Sequence, residues 1–254
     1  MRIRQVIFLL VFMALFVKMS SGDDLEKARA LFYEGNNYYS GEKFEEAIAD
    51  YEKALSLGFE SGQLYYNLGN AYFKRGSLGK AILNYLRAGR LMPEDADLKS
   101  NLNYARSLIK GGPVEPRRKW PVRIFLVLAD SFSLDRAALL VTILYFALVI
   151  LFVLVTLVKR LRKISGYIVV PVSILLAIFV SLFLAQLHKT LQKVAVVITE
   201  RSDCKFEPLS GATTFYTLNE GENVVVVGSK KDWVKVRRPD GKQGWILRSD
   251  IEFL

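Results

Sequence analysis

Residues 28–61 read ARALFYEGNNYYSGEKFEEAIADYEKALSLGFES, and residues 62–95 read GQLYYNLGNAYFKRGSLGKAILNYLRAGRLMPED. Aligned without gaps, the two segments carry the same small or aromatic residue at five positions, so the sequence repeats every 34 residues. Small residues let two helices approach closely, and large rings fill the space between neighbouring helices. Each segment is therefore predicted to form a pair of antiparallel helices. The matched pairs are Gly35 and Gly69, Tyr38 and Tyr72, Ala47 and Ala81, Tyr51 and Tyr85, and Ala54 and Ala88.

A period of 34 residues with this composition is typical of the tetratricopeptide repeat. Pro93 closes the second unit where a helix must end, whereas the first unit has Phe59 at that position. Apolar residues then recur at helical spacing over residues 96–110, which predicts a capping helix. The predicted all-α tetratricopeptide repeat domain spans residues 23–110, divided into 28–61, 62–95 and the cap 96–110.

The first 22 residues have the plan of an export signal. Arg2 and Arg4 precede an apolar run over residues 6–17, and small residues follow at 20–22. This order predicts a secretory signal peptide. Lys18, late in the segment, leaves a retained membrane anchor as the alternative, and both interpretations export the residues that follow.

Two longer uncharged runs, residues 137–158 and 164–187, are each long enough to cross about 30 Å of hydrocarbon. The residues between them, 159–163, include four cations, and short basic loops stay in the cytoplasm. The sequence therefore predicts a two-helix transmembrane hairpin with a cytoplasmic loop. Both soluble regions would then lie on the opposite side of the membrane, in one compartment.

Residues 111–136 are predicted to be a basic linker between the repeats and the first span. The cluster of Arg117, Arg118, Lys119 and Arg123 is as basic as the hairpin loop and argues against this orientation, but it lies farther from the span. Residues 120–134 alternate apolar and polar side chains. They are predicted to be either an amphipathic helix in the membrane interface, with Trp120 at headgroup depth, or a plain linker.

The net charge of +10 comes from the membrane-flanking segments. Residues 23–110 contain 13 acidic and 12 basic side chains, and residues 200–254 contain nine of each. A charge located at membrane edges is a signal for orientation and for anionic lipid. It gives no continuous basic surface for a duplex, so no nucleic-acid partner is expected.

From Val194 onward, apolar residues alternate instead of recurring at helical spacing, and short β-branched runs are separated by turn signals such as Asp240-Gly241. Several short strands in about 60 residues predict a small all-β barrel. The order of features over residues 194–254 resembles a bacterial SH3-like domain. The matching residues are Leu218, Gly221, Asp232-Trp233-Val234-Lys235-Val236, Asp240-Gly241 and Gly244-Trp245-Ile246.

This resemblance implies a ligand-binding role for Trp233, because related domains grip polyproline helices between aromatic side chains. Leu247 and Asp250 stand where a proline and a tyrosine are expected, which argues against polyproline binding. Some bacterial relatives bind cell-wall peptides, so peptidoglycan is an alternative ligand. The competing interpretation is that Trp233 and Trp245 are core residues.

The sequence contains no recognisable catalytic constellation. The single histidine, His188, ends the second predicted span and is interpreted as an interfacial side chain. The single cysteine, Cys204, cannot form an internal disulfide and is interpreted as a small buried hydrophobe rather than a reactive thiol. No phosphate-binding loop, metal-ligand spacing or nucleophile motif is present. We therefore predict a protein that is not an enzyme and needs no cofactor or metal.

Tetratricopeptide arrays bind extended partners on a concave face formed by the first helix of each unit. An asparagine amide there can donate to a peptide carbonyl and accept from a peptide N–H, although solvated helix polarity explains the same side chains. The groove lacks the lysine and arginine pair that would clamp a C-terminal carboxylate. The predicted groove residues are Arg29, Phe32, Asn36, Tyr39, Gln63, Tyr66, Asn67, Asn70, Phe73, Lys74 and Asn101.

The order of export signal, repeat pair, basic linker, membrane hairpin and SH3-like barrel resembles the BatE-like proteins of the bacterial aerotolerance (Bat) operon. The resemblance implies a multi-pass scaffold of the bacterial inner membrane, with periplasmic domains and with Bat proteins that carry von Willebrand A domains as partners. The hypothesis is a non-enzymatic adaptor. The alternatives are a cell-envelope sensor whose barrel binds peptidoglycan peptide, and a transporter, which two spans without an embedded charge disfavour.

Overall fold

The described part of the chain forms two compact units. The computed structural model describes residues 23–112, 119–130, 134–158 and 165–254. One unit combines the N-terminal helices with residues 193–254, and the other contains the described residues between 119 and 192. The predicted export signal (1–22) and hairpin loop (159–163) lie outside the described residues.

Five helices form the N-terminal region, as two helical hairpins and a cap. Where α3 and α5 begin, the hydroxyl of Ser61 accepts from the N–H of Leu64 at 3.1 Å, and the carboxylate of Asp95 accepts from the N–H of Leu98 at 2.8 Å. These side chains satisfy backbone donors that have no partner within a helix. The helices are α1 (residues 23–40), α2 (Phe44–Ser56), α3 (Gly62–Lys74), α4 (Leu78–Leu91) and α5 (Ala96–Ser107).

Glycine lets the two helices of each hairpin pack in direct contact. A Cβ atom added to Gly35 would lie 2.6 Å from Cε1 of Tyr51, and one added to Gly69 would lie 2.7 Å from Cδ1 of Tyr85. Carbon atoms pack best at about 3.5–4.0 Å, so each tyrosine ring occupies the space that a side chain would need. Both rings are buried. The equivalent positions of the repeat thus make equivalent contacts.

The C-terminal region is a seven-stranded antiparallel sheet with the strand order β3-β2-β6-β5-β4-β1-β7. Alternate residues point into its core, where Val234, Val236 and Ile246 are fully or almost fully buried. With the helical repeats and two apolar helices described below, this sheet confirms the predicted fold class. The strands are β1 (Val194–Val197), β2 (Arg201–Lys205), β3 (Thr214–Asn219), β4 (Asn223–Lys230), β5 (Trp233–Arg237), β6 (Gln243–Leu247) and β7 (Ile251–Phe253).

The sheet docks directly on α4. Val196 of β1 is fully buried within the hydrophobic core of the helices. The carboxylate of Glu220 accepts a hydrogen bond of 2.8 Å from the backbone N–H of Gly79, in the first turn of α4. Ser77, the N-cap residue of α4, makes no side-chain capping bond. The C-terminal region, residues 193–254, is called the β-region or barrel below. It therefore supplies an acidic cap to the start of α4, where the helix dipole also favours a negative charge.

Further contacts join the helices and the sheet. The guanidinium of Arg87 donates to Glu252 at 3.1 Å and to the carbonyl of Phe253 at 2.8 Å. The ammonium of Lys110 donates to Glu200 at 2.5 Å. Although a long segment separates them in sequence, the repeats and the β-region therefore belong to one compact unit.

Two helices in the second unit are long and apolar enough to cross a membrane. Their most apolar 18-residue windows have mean hydropathies of 3.1 and 2.9. They correspond to the predicted spans 137–158 and 164–187. Residues 120–130 are helical, and Trp120 at their start is exposed. The helices are α6 (Trp120–Asp130), α7 (Leu134–Leu157) and α8 (Ser165–Leu191).

Replacing Gly69 with alanine should destabilise the second hairpin, because the new methyl group meets the ring of Tyr85. Overpacking of this kind costs about 1–3 kcal/mol. The matched control is Gly89→Ala in α4, whose Cβ would meet only Leu98, at 4.0 Å. Both variants should gain about 1 kcal/mol from helix propensity, and only Gly69→Ala should pay the cost of overpacking against it. Amide hydrogen exchange of α3 and α4 in the full chain should therefore accelerate only in Gly69→Ala. Equal exchange in both variants would contradict the packing.

Gly79→Ala should separate the β-region from α4. The added Cβ would lie 2.3 Å from the carbonyl oxygen of Val197 and 2.9 Å from Cα of Ile198, and backbone atoms cannot rotate away as a side chain can. A loss of about 1–3 kcal/mol corresponds to exchange faster by a factor of roughly 5–150 at the contact. Hydrogen exchange should rise together in the first turn of α4 and in β1. Unchanged protection of β1 would show that the docking does not depend on this contact.

Candidate functional site

Four asparagines line one face of the helical region, and the repeat relates them in two pairs. Asn36 of α1 and Asn70 of α3 are equivalent, as are Asn67 of α3 and Asn101 of α5. The side-chain nitrogen of Asn67 donates to the side-chain oxygen of Asn36 at 2.8 Å, and that of Asn101 donates to Asn70 at 3.1 Å. Each pair therefore links the first helix of one unit to the next first helix or to the cap.

Tyrosines from the second helices complete these pairs. The hydroxyl of Tyr51 donates to the side-chain oxygen of Asn36 at 2.8 Å, and the hydroxyl of Tyr85 donates to that of Asn70 at 2.8 Å. Burial is the main cause that raises the pKa of both tyrosines well above its ordinary value. The hydroxyls therefore stay protonated at neutral pH and remain donors. Two donors occupy the oxygen of each first asparagine.

The arrangement leaves polar groups available. In a hydrogen-bonded pair of asparagines, one amide accepts with its oxygen and the other donates with its nitrogen. The first amide therefore keeps its NH2 group as a donor and the second keeps its oxygen as an acceptor, whichever way the amides are oriented. Among the described residues, the side-chain nitrogens of Asn36 and Asn70 donate no hydrogen bond. The oxygen of Asn67 accepts from the exposed amide of Gln63 at 3.3 Å. The four asparagines thus carry both donors and acceptors that a ligand can use.

Two adjoining cavities open over these asparagines. One of about 390 Å³ lies between α3 and α5, and one of about 200 Å³ lies between α1 and α3. Both are lined by Tyr39 and Asn70, so they form one groove, which we call the asparagine groove. The other lining residues are Tyr66, Phe73, Lys74, Tyr85, Asn101 and Tyr104 in the larger cavity and Asn36, Ser40, Tyr51 and Asn67 in the smaller one.

Eight of the eleven predicted groove residues line these cavities, and Arg29, Phe32 and Gln63 do not. Phe32 packs inward, with its ring centroid 6.1 Å from that of Tyr51 and 6.0 Å from that of Phe59. Arg29 is exposed. The eight lining residues are Asn36, Tyr39, Tyr66, Asn67, Asn70, Phe73, Lys74 and Asn101.

The structure adds four lining residues that the sequence pattern missed. Tyr104 is 60% exposed, and its ring centroid lies 5.7 Å from that of Phe73. Its position three residues after Asn101, on the same helical face, was the available signal. The sequence pattern assigns Tyr51 and Tyr85 only to helix packing. Their hydroxyls nevertheless reach the groove, where they donate to Asn36 and Asn70. Ser40 is the fourth.

The groove is aromatic and polar, with little charge. Lys74 is the one ionisable cation among the lining residues, and no carboxylate lines either cavity. A neutral amide lining recognises peptide groups through directed hydrogen bonds, and the tyrosine and phenylalanine rings offer apolar contact. The arrangement suits an extended polypeptide more than a compact ion.

In the β-region, Trp233 lies on β5 and Trp245 on β6, and both are partly exposed and outside the hydrophobic core. Cys204 is buried in that core, and burial is the main cause that raises its pKa above the ordinary value, so its thiol is a poor nucleophile. Within the described ranges, no group of histidine, cysteine, aspartate or glutamate side chains could hold a metal ion.

Comparisons with family models identify both soluble modules. Residues 35–76 match a model described as TPR repeat, and residues 62–94 match one described as tetratricopeptide repeat. Residues 206–252 match a model described as bacterial SH3 domain. Tetratricopeptide repeats and a bacterial SH3 domain are thus present. The tetratricopeptide repeat is typically a non-catalytic scaffold for protein interactions, and the matched models indicate no enzyme family.

No match is found among curated proteins. Among solved structures, the Arabidopsis OM64 TPR domain aligns with 19% identity and a TM-score of 0.32, over 33% of this chain and 69% of that chain. The first TPR of Spaghetti (RPAP3) bound to HSP90 peptide SRMEEVD aligns with 21% identity and a TM-score of 0.23, over 32% of this chain and 91% of that chain. NlpC2 from Trichomonas vaginalis aligns with 16% identity and a TM-score of 0.23, over 25% of each chain.

Proposed function

We propose that this chain is a non-enzymatic membrane adaptor whose asparagine groove binds an extended segment of a partner protein. The observation that carries this proposal is the set of amide groups left unused by the two asparagine pairs. An extended peptide presents both N–H and C=O groups along its backbone. The spare donors of Asn36 and Asn70 and the spare acceptor of Asn101 therefore have partners in such a backbone, whatever its side chains.

The aromatic side chains of the groove add a preference without fixing the sequence of the ligand. The rings of Tyr66, Phe73 and Tyr104 line the larger cavity and fit an apolar or aromatic side chain. Lys74 stands alone as a cation, without the second basic residue that a carboxylate clamp requires. The ligand is therefore an internal extended segment rather than a C-terminal carboxylate.

The proposed location is a bacterial inner membrane, with α7 and α8 as a transmembrane hairpin and the soluble modules in the periplasm. The docking of the β-region on α4 supports this topology, because modules in contact must share one compartment. Two membrane crossings, by α7 and α8, lie between the modules in sequence and return the chain to the side on which it started. The basic residues 159–163 favour a cytoplasmic position for the loop that contains them.

The wider context that we propose is a Bat-type complex linked to aerotolerance or stress, with von Willebrand A domain proteins as partners. Its support is the resemblance in module order to the BatE-like proteins. The second candidate function is a cell-envelope sensor whose SH3-like barrel binds peptidoglycan peptide, favoured by the bacterial SH3 match and by the partly exposed Trp233. Retention of the detergent-solubilised chain on purified sacculi, lost in Trp233→Ala, would favour the sensor.

Asn70→Asp should weaken capture of the partner and leave the fold intact. Aspartate keeps an oxygen that accepts from Tyr85 and Asn101, but it replaces the unused N–H donor with a second, negatively charged oxygen. Loss of one hydrogen bond to the ligand backbone costs about 0.5–1.5 kcal/mol, and repulsion from a peptide carbonyl adds to this cost. Affinity should therefore fall at least severalfold.

The measurement uses a photoreactive amino acid at Tyr104, on the rim of the groove, to trap and identify the partner segment in native membranes. Binding of a synthetic peptide with that sequence is then compared between the wild-type chain and Asn70→Asp. Asn103→Asp is the matched control, because Asn103 is exposed on α5 and does not line the groove. Equal peptide affinity in wild type and Asn70→Asp would exclude backbone recognition through this asparagine.

A reporter active only in the cytoplasm should be active when inserted at Leu161 and inactive when fused after Leu254. The reason is that the hairpin places its basic loop in the cytoplasm and the barrel outside. A fusion after Lys110 in a chain truncated there serves as the control and should be inactive too. Activity at Leu254, or silence at Leu161, would contradict the proposed topology.

A further inference from the structure

One face of the barrel collects cations and tryptophans, as the strand register shows. Lys230, Trp233 and Leu247 lie opposite one another on β4, β5 and β6. In the next row, Lys235 of β5 lies opposite Trp245 of β6, which in turn lies opposite Lys205 of β2. Residues directly opposite in antiparallel strands point to the same side of the sheet.

The third row extends this face with Val225, Arg237 and Gln243. The buried residues Val234, Val236 and Ile246 alternate with the rows, so the rows point away from the core. The nine residues include four cations and no carboxylate. We call this surface the basic–aromatic face; its members are Lys205, Val225, Lys230, Trp233, Lys235, Arg237, Gln243, Trp245 and Leu247.

The acidic side chains of the barrel are placed elsewhere. Glu220 caps α4, Glu252 pairs with Arg87, and Glu200 pairs with Lys110. Residues 200–254 are neutral overall, with nine acidic and nine basic side chains. Three of the nine carboxylates thus contact the helices, and Asp240 pairs with Arg238 within the barrel. The nine positions of the basic–aromatic face are therefore positive, although the barrel is neutral overall.

We propose that the basic–aromatic face binds the anionic lipid headgroups of a membrane surface. Lysine and arginine are attracted to anionic lipid, and tryptophan rings are preferred at headgroup depth. This inference rests on the membrane location proposed above. Only Gln192 and Lys193 separate the end of α8 from β1 in sequence, so the barrel is joined to an apolar helix without a long linker.

The distribution of the cations favours a lipid surface over a single acidic group on a protein. They belong to β2, β4 and β5, and adjacent strands in the sheet are about 4.8 Å apart. A charged plane contacts all of them at once, while Leu247, 40% exposed, adds apolar area between them.

The test follows the lipid exposure of Trp233 in the full chain. Trp120→Phe and Trp245→Phe leave Trp233 as the single tryptophan, since the chain has three. This variant is reconstituted into vesicles of brominated phosphatidylcholine, with or without added phosphatidylglycerol. The fluorescence of Trp233 should be quenched with phosphatidylglycerol and recover at high salt, because salt screens exposed charges.

Neutralisation of the face should reverse the effect. Lys235→Gln with Arg237→Gln should lower the ratio of docked to undocked barrel about fivefold per charge. Lys27→Gln with Lys53→Gln is the matched control, because both lysines are exposed on the helices and the net charge changes equally. The exchange Lys235→Arg with Arg237→Lys keeps the charge and should keep the quenching, and an unchanged emission maximum confirms a folded barrel.

Several outcomes would overturn the proposal. Equal quenching in neutral and anionic vesicles, or quenching that high salt leaves unchanged, excludes an anionic-lipid contact. If the quenching weakens as the protein concentration in the vesicles rises, the face binds a second copy of the chain instead of lipid. A chain that inserts normally but shows no lipid dependence overturns this inference alone, whereas a chain that fails to insert overturns the membrane location as well.

Discussion

Each repeat unit depends on one contact, in which the tyrosine of the second helix packs against the glycine of the first helix. The ring of Tyr85 fills the space left by Gly69, and its hydroxyl then reaches the side chain of Asn70 in the groove. Tyr51 makes the same contact with Gly35 in the first unit. The interaction that sets the distance between helices therefore also orients the amide proposed to bind the partner.

The hydrogen bonds of the groove asparagines are expected to offset the cost of placing these residues inside helices. Asparagine is a mediocre helix former, by a few tenths of a kcal/mol relative to the best residues, so it needs a compensating interaction. Asn36 and Asn70 each accept two hydrogen bonds from neighbouring helices. The same bonds occupy the oxygen and leave the N–H donors available. Stability and the proposed recognition therefore use opposite ends of one side chain.

A second glycine contact determines how the soluble modules are assembled. At Gly79 the backbone of the β-region approaches α4 so closely that no side chain fits, and the carboxylate of Glu220 caps the helix. Three acidic groups of the barrel, Glu200, Glu220 and Glu252, contact the helices, and four of its cations lie on the basic–aromatic face. The barrel therefore contributes to the stability of the repeats as well as presenting a surface of its own.

The local architecture could be predicted from the sequence alone, because repeat spacing, apolar length and strand alternation are properties of neighbouring residues. The 34-residue period predicts the helical hairpins and the positions of Asn36, Asn67, Asn70 and Asn101, and two uncharged runs predict the apolar helices. The sequence pattern did not predict the inward packing of Phe32 or the contribution of Tyr104 to the groove. Helical spacing places a residue on a face but does not show which side chains pack over it. The docking of the barrel on α4 and the hydrogen-bond partners of each amide became visible only in the folded chain, because both depend on contacts between residues far apart in sequence.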